Sequence, residues 1–585
     1  MSSPSSWIRA VCAVSFILIA SITVAAGADE VTAPDRKSVQ PDPSGTPATG
    51  NQNDISELKR QLKEQQQQIE ELRLMLQEQA KLIGYGGAAV GARTQQAASA
   101  RSHFVGEVAS MTPMIPAAAA ATPPPVLVQP EKKEERPEVS PLQFSLGSAY
   151  FTPVGFMDFT AVIRDTNPGS NIGTNFGSFP YRTPINAQGN LSEFRLSPQN
   201  SRLGMRIDAM VKGAKVLAYW ESDFLGGTGN PPVGNISVSS NSYPFRLRLY
   251  WVDLRKGKFE FLAGQTWSLL TPGRKGISPL PSDLFYTYVI DVNYQLGLVW
   301  GRVPEFRIVY HPSDKVTMAV ALGNAEQYIG GSGGAGVVVL PANLVIPYSG
   351  QLNNGTTTLG VPNLHPDIIA KFAFDPILPN GNAFHFELGA VLRTFKVYNP
   401  LTTQHFTTSG AAGYQANLNI ELVKNFRFVT NNYWSDGGGR YIFGQAPDLV
   451  VRNDGSISLV RSGSTVTGFE LTHKNLVAYT YYGGVYIARN VISAPGNAPG
   501  NGDLVGYGFT ISAPSQNRST QEGTIGFTYT FWKDAKYGAL SFMTQYSYFM
   551  RNPWYVASGA PKGTHMNEVF LNLRYAFPGS APAPK

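Results

Sequence analysis

The chain has 585 residues, among them 59 glycines, 42 prolines, 32 phenylalanines and 27 tyrosines, and only 15% of its residues are charged. This length exceeds that of an ordinary single soluble domain, and the composition favours strands and turns over helix bundles. After residue 30 no apolar run reaches the roughly 20 residues of a transmembrane helix, so a membrane-spanning form would have to be a closed β-barrel.

The first 28 residues have the pattern of a secretory signal peptide. Arg9 supplies the positive start, residues 10–26 form an apolar stretch, and residues 26–28 (Ala-Gly-Ala) make a small-residue cleavage site. We predict cleavage after Ala28, since a membrane anchor helix would need a longer apolar run. The single cysteine, Cys12, lies in this segment, so the mature chain is expected to have no disulfide and no thiol chemistry.

Two segments of different composition follow the signal peptide. Residues 29–53 are rich in Pro, Ser, Thr, Gly and Asp and are expected to be disordered. Residues 54–83 carry apolar residues seven apart, which indicates an α-helical coiled coil in preference to a single amphipathic helix lying on the barrel. Isoleucine at the first seam position and glutamine at two second positions favour a trimer. The predicted seam consists of Ile55, Leu58, Leu62, Ile69, Leu72, Leu76 and Ile83.

Residues 84–141 are predicted to be a linker, because they contain an alanine run and three consecutive prolines and cannot bury a hydrophobic core. Residues 142–577 then alternate apolar and polar side chains over sixteen predicted strands, with short turns and eight long Gly/Asn/Ser-rich loops in alternation. The predicted fold class is all-β: a 16-stranded antiparallel transmembrane β-barrel preceded by the coiled coil. Three of the predicted strands are 245–254, 259–267 and 295–311.

Cationic side chains share one face on several of these strands. We predict that Arg246, Arg248 and Tyr250 face the lumen while the alternate residues 247, 249 and 251 face lipid, because the reverse would put two arginines in hydrocarbon at roughly 2–4 kcal/mol each. Arginine suits carboxylate or phosphate, but a structural role is also open, in which these cations pair with Asp158, Asp208, Glu221 and Asp223. The predicted pore-lining and anion-binding residues are Arg195, Arg202, Arg206, Arg246, Arg248, Tyr250, Arg307, Lys371 and Arg393.

The third long loop, residues 268–293, is predicted to fold into the lumen and narrow it, with an ordinary surface loop as the alternative. Charges of both signs on such a loop would create a transverse field that orients solutes. Residues 142–577 hold 33 Lys and Arg against 25 Asp and Glu, a net charge of +8 that favours anions mildly. The predicted constriction residues are Arg274, Lys275, Asp283 and Tyr286, with Tyr288 beside them.

The run from Arg246 to Leu270 resembles the fourth and fifth strands of DcaP-like outer-membrane porins, most sharply at residues 262–267 (Leu-Ala-Gly-Gln-Thr-Trp). This resemblance implies a homotrimeric channel in the outer membrane, with a periplasmic coiled coil, that takes up small and often negatively charged solutes such as dicarboxylates. One departure is the tail, residues 578–585, which follows the final aromatic residue, Phe577. In many such barrels that aromatic residue is the last one and marks the strand that the assembly machinery recognises.

The leading functional hypothesis is therefore passive diffusion of small hydrophilic solutes, with anions preferred. The alternative is a structural protein that tethers the outer membrane to peptidoglycan through its coiled coil. No catalytic residue, metal site or cofactor is predicted, because the seven histidines lack metal-ligand spacing and no serine stands in a Gly-x-Ser-x-Gly elbow in a suitable setting. The expected partners are two further copies of the chain, outer-membrane lipid, small anionic solutes and peptidoglycan, and no nucleic acid.

Overall fold

Sixteen antiparallel strands form one closed barrel in the computed structural model of the chain. The predicted signal peptide, the coiled coil with its seven seam residues, residues 84–139 of the linker and residues 579–585 of the tail lie outside the described residues. The structure describes residues 140–226, 243–284, 287–331, 336–355, 364–443, 445–494 and 504–578.

The predicted number of strands is confirmed. The main sheet has 18 strand segments, of which one, Phe144–Leu146, is a short hairpin partner of the first barrel strand, and two are the halves of the second. The barrel strands are β1 Ala149–Arg164, β2 Glu193–Ser197 with Arg202–Val211, β3 Ala214–Asp223, β4 Arg246–Lys256, β5 Phe259–Trp267, β6 Arg302–Ser313, β7 Val316–Gly323, β8 Asp367–Phe374, β9 Phe384–Tyr398, β10 Phe406–Val423, β11 Phe426–Asp436, β12 Arg461–His473, β13 Leu476–Ile487, β14 Asn517–Asp534, β15 Gly538–Pro553 and β16 Thr564–Ala576.

The two faces of the last strand, β16, differ as its alternation predicts. Leu571 and Leu573 are 39% and 46% exposed on the outer face, whereas Glu568 and Asn572 point inward and are buried. β1 pairs with β2 on one side and with β16 on the other, so the first and last strands close the barrel. The closed sheet leaves no edge, as a structure that crosses a bilayer requires.

Tight turns at one end and long loops at the other connect the strands. At the β2–β3 turn both central residues, Lys212 and Gly213, have positive φ (49° and 78°), the backbone of a two-residue hairpin turn that matches strand twist. No helix among the described residues is long and apolar enough to cross a membrane. The remaining short elements are the helical turns Ala187–Asn190, Val292–Tyr294, Ala342–Leu344, Val345–Tyr348 and Gly439–Tyr441, and the hairpins Leu449–Val451 with Ile457–Leu459 and Asn490–Ser493 with Leu504–Tyr507.

The hydrophobic core lies inside the barrel, because the long loops fold inward. Its largest cluster joins loop residues such as Phe179, Leu270 and Tyr348 to inward-facing strand residues such as Val391 and Phe549. The loops therefore pack against the inner wall and against one another.

The predicted strand 295–311 begins too early. Strand β6 starts at Arg302, and residues 295–301 belong to the preceding loop. Leu296, Leu298 and Val299 are buried in the apolar clusters inside the barrel. Their hydrophobicity reflects burial in this interior, and a short apolar run does not distinguish that environment from a lipid-facing strand.

Candidate functional site

Residues 268–301, which we call the inner loop, run through the lumen. The Nζ of Lys371 on β8 donates a hydrogen bond of 2.7 Å to the carbonyl of Thr271 near the start of the loop. The Nε2 of Gln545 on β15 donates a bond of 2.8 Å to the carbonyl of Tyr294 near its end. Because β8 and β15 lie seven strands apart in a ring of sixteen, the inner loop spans the interior from one wall to the other.

Arg274 fastens the inner loop to β12. Its guanidinium donates two bonds, of 2.9 and 3.0 Å, to the carboxylate of Glu470 and lies 4.0 Å from the ring centroid of Tyr288. Burial alone would lower the pKa of the Arg274 guanidinium, but attraction to Glu470 outweighs it and holds that pKa above its usual range. Arg274 therefore stays charged and is a fixed ion-pair partner.

The other predicted constriction residues are placed differently. Lys275 is exposed, and Asp283 is partly buried and accepts a 2.7 Å bond from the hydroxyl of Ser278. Burial raises the pKa of the Asp283 carboxyl. Tyr286 lies outside the described residues. The loop is inside the barrel as predicted, and its role as the constriction stays a prediction.

A second acid of the inner loop, Asp291, was not singled out from the sequence. Its Oδ1 accepts a bond of 3.1 Å from the backbone N–H of Asn293, and its Oδ2 lies 3.8 Å from Arg202 of β2. Burial raises the pKa of the Asp291 carboxyl to about 7, against the opposing pull of Arg202. Burial therefore favours the neutral form of this carboxyl more than water does.

Arg248, predicted to line the pore, is fully buried in an ion-pair network. Its Nε donates to Glu221 at 2.9 Å and its Nη1 to Asp223 at 2.5 Å, while Arg246 also binds Asp223 at 2.9 Å. The other predicted cations have acidic partners too. These pairs are Arg195–Glu193 (2.9 Å), Arg202–Glu221 (3.4 Å), Arg206–Asp208 (2.8 Å), Arg307–Glu305 (2.9 Å), Lys371–Glu387 (3.2 Å), Arg393–Asp367 (3.0 Å) and Arg393–Asp448 (2.9 Å).

These ion pairs fit the alternative that the sequence left open, in which the cations have a structural role as partners of acidic side chains. Of the four acids considered for it, Glu221, Asp223 and Asp208 bind predicted cations, and Asp158 binds Arg574 at 2.6 Å. Arg195 differs from the rest, since its side chain is 42% exposed. Solute contact by these cations stays a prediction.

The predicted inward orientation of Tyr250 is wrong. Tyr250 is 65% exposed on the outer face, and its neighbours Leu249 and Trp251, predicted to face lipid, are buried inside. The cause is a β-bulge, because Glu221 and Ser222 of β3 pair with Leu249 and Leu247 and skip Arg248. The extra residue reverses the alternation beyond it, and the sequence pattern carries no sign of it.

Replacing Arg248 with methionine is expected to destabilise the barrel by about 3–5 kcal/mol, because the change leaves two buried carboxylates short of a cation. Urea unfolding of the refolded protein, followed by tryptophan fluorescence, measures this loss. Lys256→Ala, at an exposed position on the same strand, is the matched control and should cost less than about 0.5 kcal/mol. A stable variant with altered ion selectivity would instead support direct solute contact by Arg248.

Sequence reasoning missed a second network, which we call the seam clasp: Arg164 of β1, Glu193 of β2 and Glu568 of β16. Arg164 donates bonds of 2.5 Å to each of the two carboxylates, and all three side chains are buried. The same guanidinium donates to the carbonyls of Ile172 and Gly173, at 3.0 and 2.8 Å, in the first long loop. The clasp joins the three strands at the barrel closure and holds that loop inside. The alternation of side chains indicated that Glu568 faces inward, but it did not identify the residues that Glu568 binds.

Comparison with known proteins supports the fold. No protein-family model and no curated sequence matches the chain. Two weaker structural matches are Salmonella typhi OmpF in complex with daunomycin (TM-score 0.39, 9% identity, 74% of this chain and 100% of that one) and an anion-selective porin from Comamonas acidovorans (0.38, 10%, 73% and 100%). The outer membrane channel DcaP of Acinetobacter baumannii matches with a TM-score of 0.52 at 15% identity, over 74% of this chain and 99% of that one. The chain thus has the barrel fold of the DcaP channel, the fold that the resemblance of residues 246–270 implied.

Proposed function

We propose that the protein is an outer-membrane porin through which small hydrophilic solutes diffuse passively. The observation that carries this proposal is the closed 16-stranded barrel, with its apolar outer face and the ion pairs of its inner face, around a loop that crosses its interior. An outward apolar band belongs against lipid, and an inward polar wall belongs against water or polar solutes. The predicted signal peptide of residues 1–28 supports export of the chain. The predicted coiled coil of residues 54–83 is proposed to lie in the periplasm.

The proposed assembly is a homotrimer, supported by the predicted coiled coil of residues 54–83. The proposed solutes are small anions such as dicarboxylates, supported by the net charge of +8 over residues 142–577. Because the predicted pore-lining cations pair with acids, the preference is expected to come from the summed field of the lumen more than from one of these arginines acting alone.

Conductance of the purified, refolded protein in planar bilayers tests this function. We expect stepwise currents and a reversal potential, in a salt gradient, on the anion-selective side. Lipid bilayers treated with detergent alone are the control. Absence of current steps from protein that shows the heat-modifiable migration of a folded barrel would overturn the porin function, whereas a cation-selective reversal potential would overturn the anion preference alone.

A further inference from the structure

Four carboxamide side chains stand together on the inner wall of the barrel, and we call them the carboxamide file. Gln415, Asn417 and Asn419 follow one another on the inward face of β10, at intervals of about 6.6 Å. Asn431 of β11 lies directly across from Asn417 in the strand pairing. All four side chains are buried, with exposures of 0–3%.

The carboxamide file has hydrogen-bonding capacity that the described part of the chain does not use. Both the amide nitrogen and the amide oxygen lack a hydrogen-bond partner in Gln415, Asn419 and Asn431. In Asn417 only the amide oxygen lacks one. Asn417 Nδ2 donates to the carbonyl of Gly273 and to Glu387, each at 3.0 Å. Burying seven unpartnered polar atoms in one place is costly, so a bound molecule is expected to complete their bonds.

Charged groups near the carboxamide file are already neutralised by one another. Lys371 of β8 lies 3.2 Å from Glu387 of β9, and His385 of β9 lies 2.7 Å from Asp375, which follows β8. A charged solute would therefore have to compete with ion pairs that are already formed. The side-by-side donor and acceptor of a carboxamide instead match a hydroxyl group, which both donates and accepts.

The surroundings of the carboxamide file fit an organic solute better than a row of water molecules. Tyr433, which stands across from Gln415 in the strand pairing, belongs to the apolar cluster of the interior, so the file borders apolar side chains. Pockets for small molecules commonly combine such apolar surface with a few placed polar groups. The inner loop contacts the file where Asn417 binds the carbonyl of Gly273, so binding of a solute at Asn417 would require this segment to move aside.

We propose that the carboxamide file is a binding site for uncharged solutes that carry several hydroxyl groups, such as sugars and polyols. The inference rests on the proposed porin function, because it names a solute class for that channel in addition to anions. It assigns the carboxamide donors and acceptors of β10 and β11 to the hydroxyl groups of the solute.

The test uses the full refolded protein and maltose as the probe. Binding is measured in detergent solution by saturation-transfer NMR, and solute interaction in bilayers is measured as the decrease of single-channel current with maltose concentration. We expect saturable binding and a saturable current decrease for the native chain. A polyethylene glycol of similar size, which lacks the array of hydroxyl groups, should lower the current only in proportion to viscosity.

The double variant Asn419→Leu/Asn431→Leu removes four of the seven unpartnered atoms and should weaken maltose binding at least about tenfold. Asn432→Leu is the matched control, because Asn432 is the next residue along β11 but faces outward. Maltose binding by this control should be unchanged. If the double variant does not fold, as judged by heat-modifiable migration, Gln415→Leu serves in its place with a smaller loss expected.

Native channels that conduct but respond to maltose only as they do to the polymer would overturn the proposed site and leave the porin function standing. Native protein that binds maltose in detergent but produces no current would overturn the porin function and leave the binding site standing. Equal maltose binding by the native chain and a folded double variant would overturn the assignment to the carboxamide file.

Discussion

Replacing Arg164 with alanine is expected to lower the free energy of unfolding of the barrel by about 3–5 kcal/mol. The reason is that Glu193 and Glu568 would then be buried without the cation that they share. The change also removes the donor to the carbonyls of Ile172 and Gly173, one of the anchors that hold the first long loop against the wall. Urea unfolding followed by tryptophan fluorescence measures the loss.

Arg195→Ala is the matched control for the seam clasp. Arg195 binds the same acid, Glu193, at 2.9 Å, but its side chain is 42% exposed, so its loss should cost less than about 1 kcal/mol. Arg164→Lys should recover only part of the stability, because an ammonium group does not present the planar fork that reaches two carboxylates and two carbonyls together. A similar loss for Arg164→Ala and Arg195→Ala would show that the clasp does not hold the closure.

Replacing Arg274 with alanine is expected to raise single-channel conductance by releasing the inner loop from β12. The substitution leaves the buried Glu470 with the Tyr481 hydroxyl but without its ion-pair partner, a cost of about 3–5 kcal/mol when the loop is in its observed position. A shift of that size changes the ratio of displaced to seated loop by more than about a hundredfold. Conductance and current noise in planar bilayers report the change.

Lys275→Ala provides the control for this experiment, since it removes a neighbouring positive charge that is exposed and so separates loss of charge from loss of anchoring. Its conductance should stay close to the native value. Unchanged conductance in a folded Arg274→Ala protein would mean that the remaining bonds, such as that from the Gly273 N–H to Glu387 at 3.1 Å, hold the loop without the arginine.

Alternation of side chains was enough to predict most of the strands, because each has one face against the outer apolar belt and one against the interior. Strand β5 has the predicted bounds, 259–267, and the last strand has the predicted faces. The same rule failed where its physical basis changes. Residues 295–301 are apolar because they pack inside the barrel, and Tyr250 turns outward because a bulge adds one residue at Arg248.

The candidate site was less accessible to sequence reasoning, because ion pairs depend on which residues of neighbouring strands stand side by side. Several inward arginines were found, and three of the acids considered for them are indeed their partners. Glu193 and Glu568 were missed as partners of Arg164, since Glu568 meets it only after sixteen strands have closed. The carboxamide file was missed because single asparagines and glutamines on strands carry no motif.

The seam clasp also has a consequence for the timing of assembly. Arg164 and Glu568 are separated by 404 positions in the chain, so their contact is among the most distant that the fold makes. Contacts of this kind form late and slowly, because a long stretch of chain must be ordered before its ends meet. Until β16 arrives, Arg164 lacks one of its two carboxylates and the first strand has an open edge. The clasp therefore stabilises the barrel only when its last strand is present and in register.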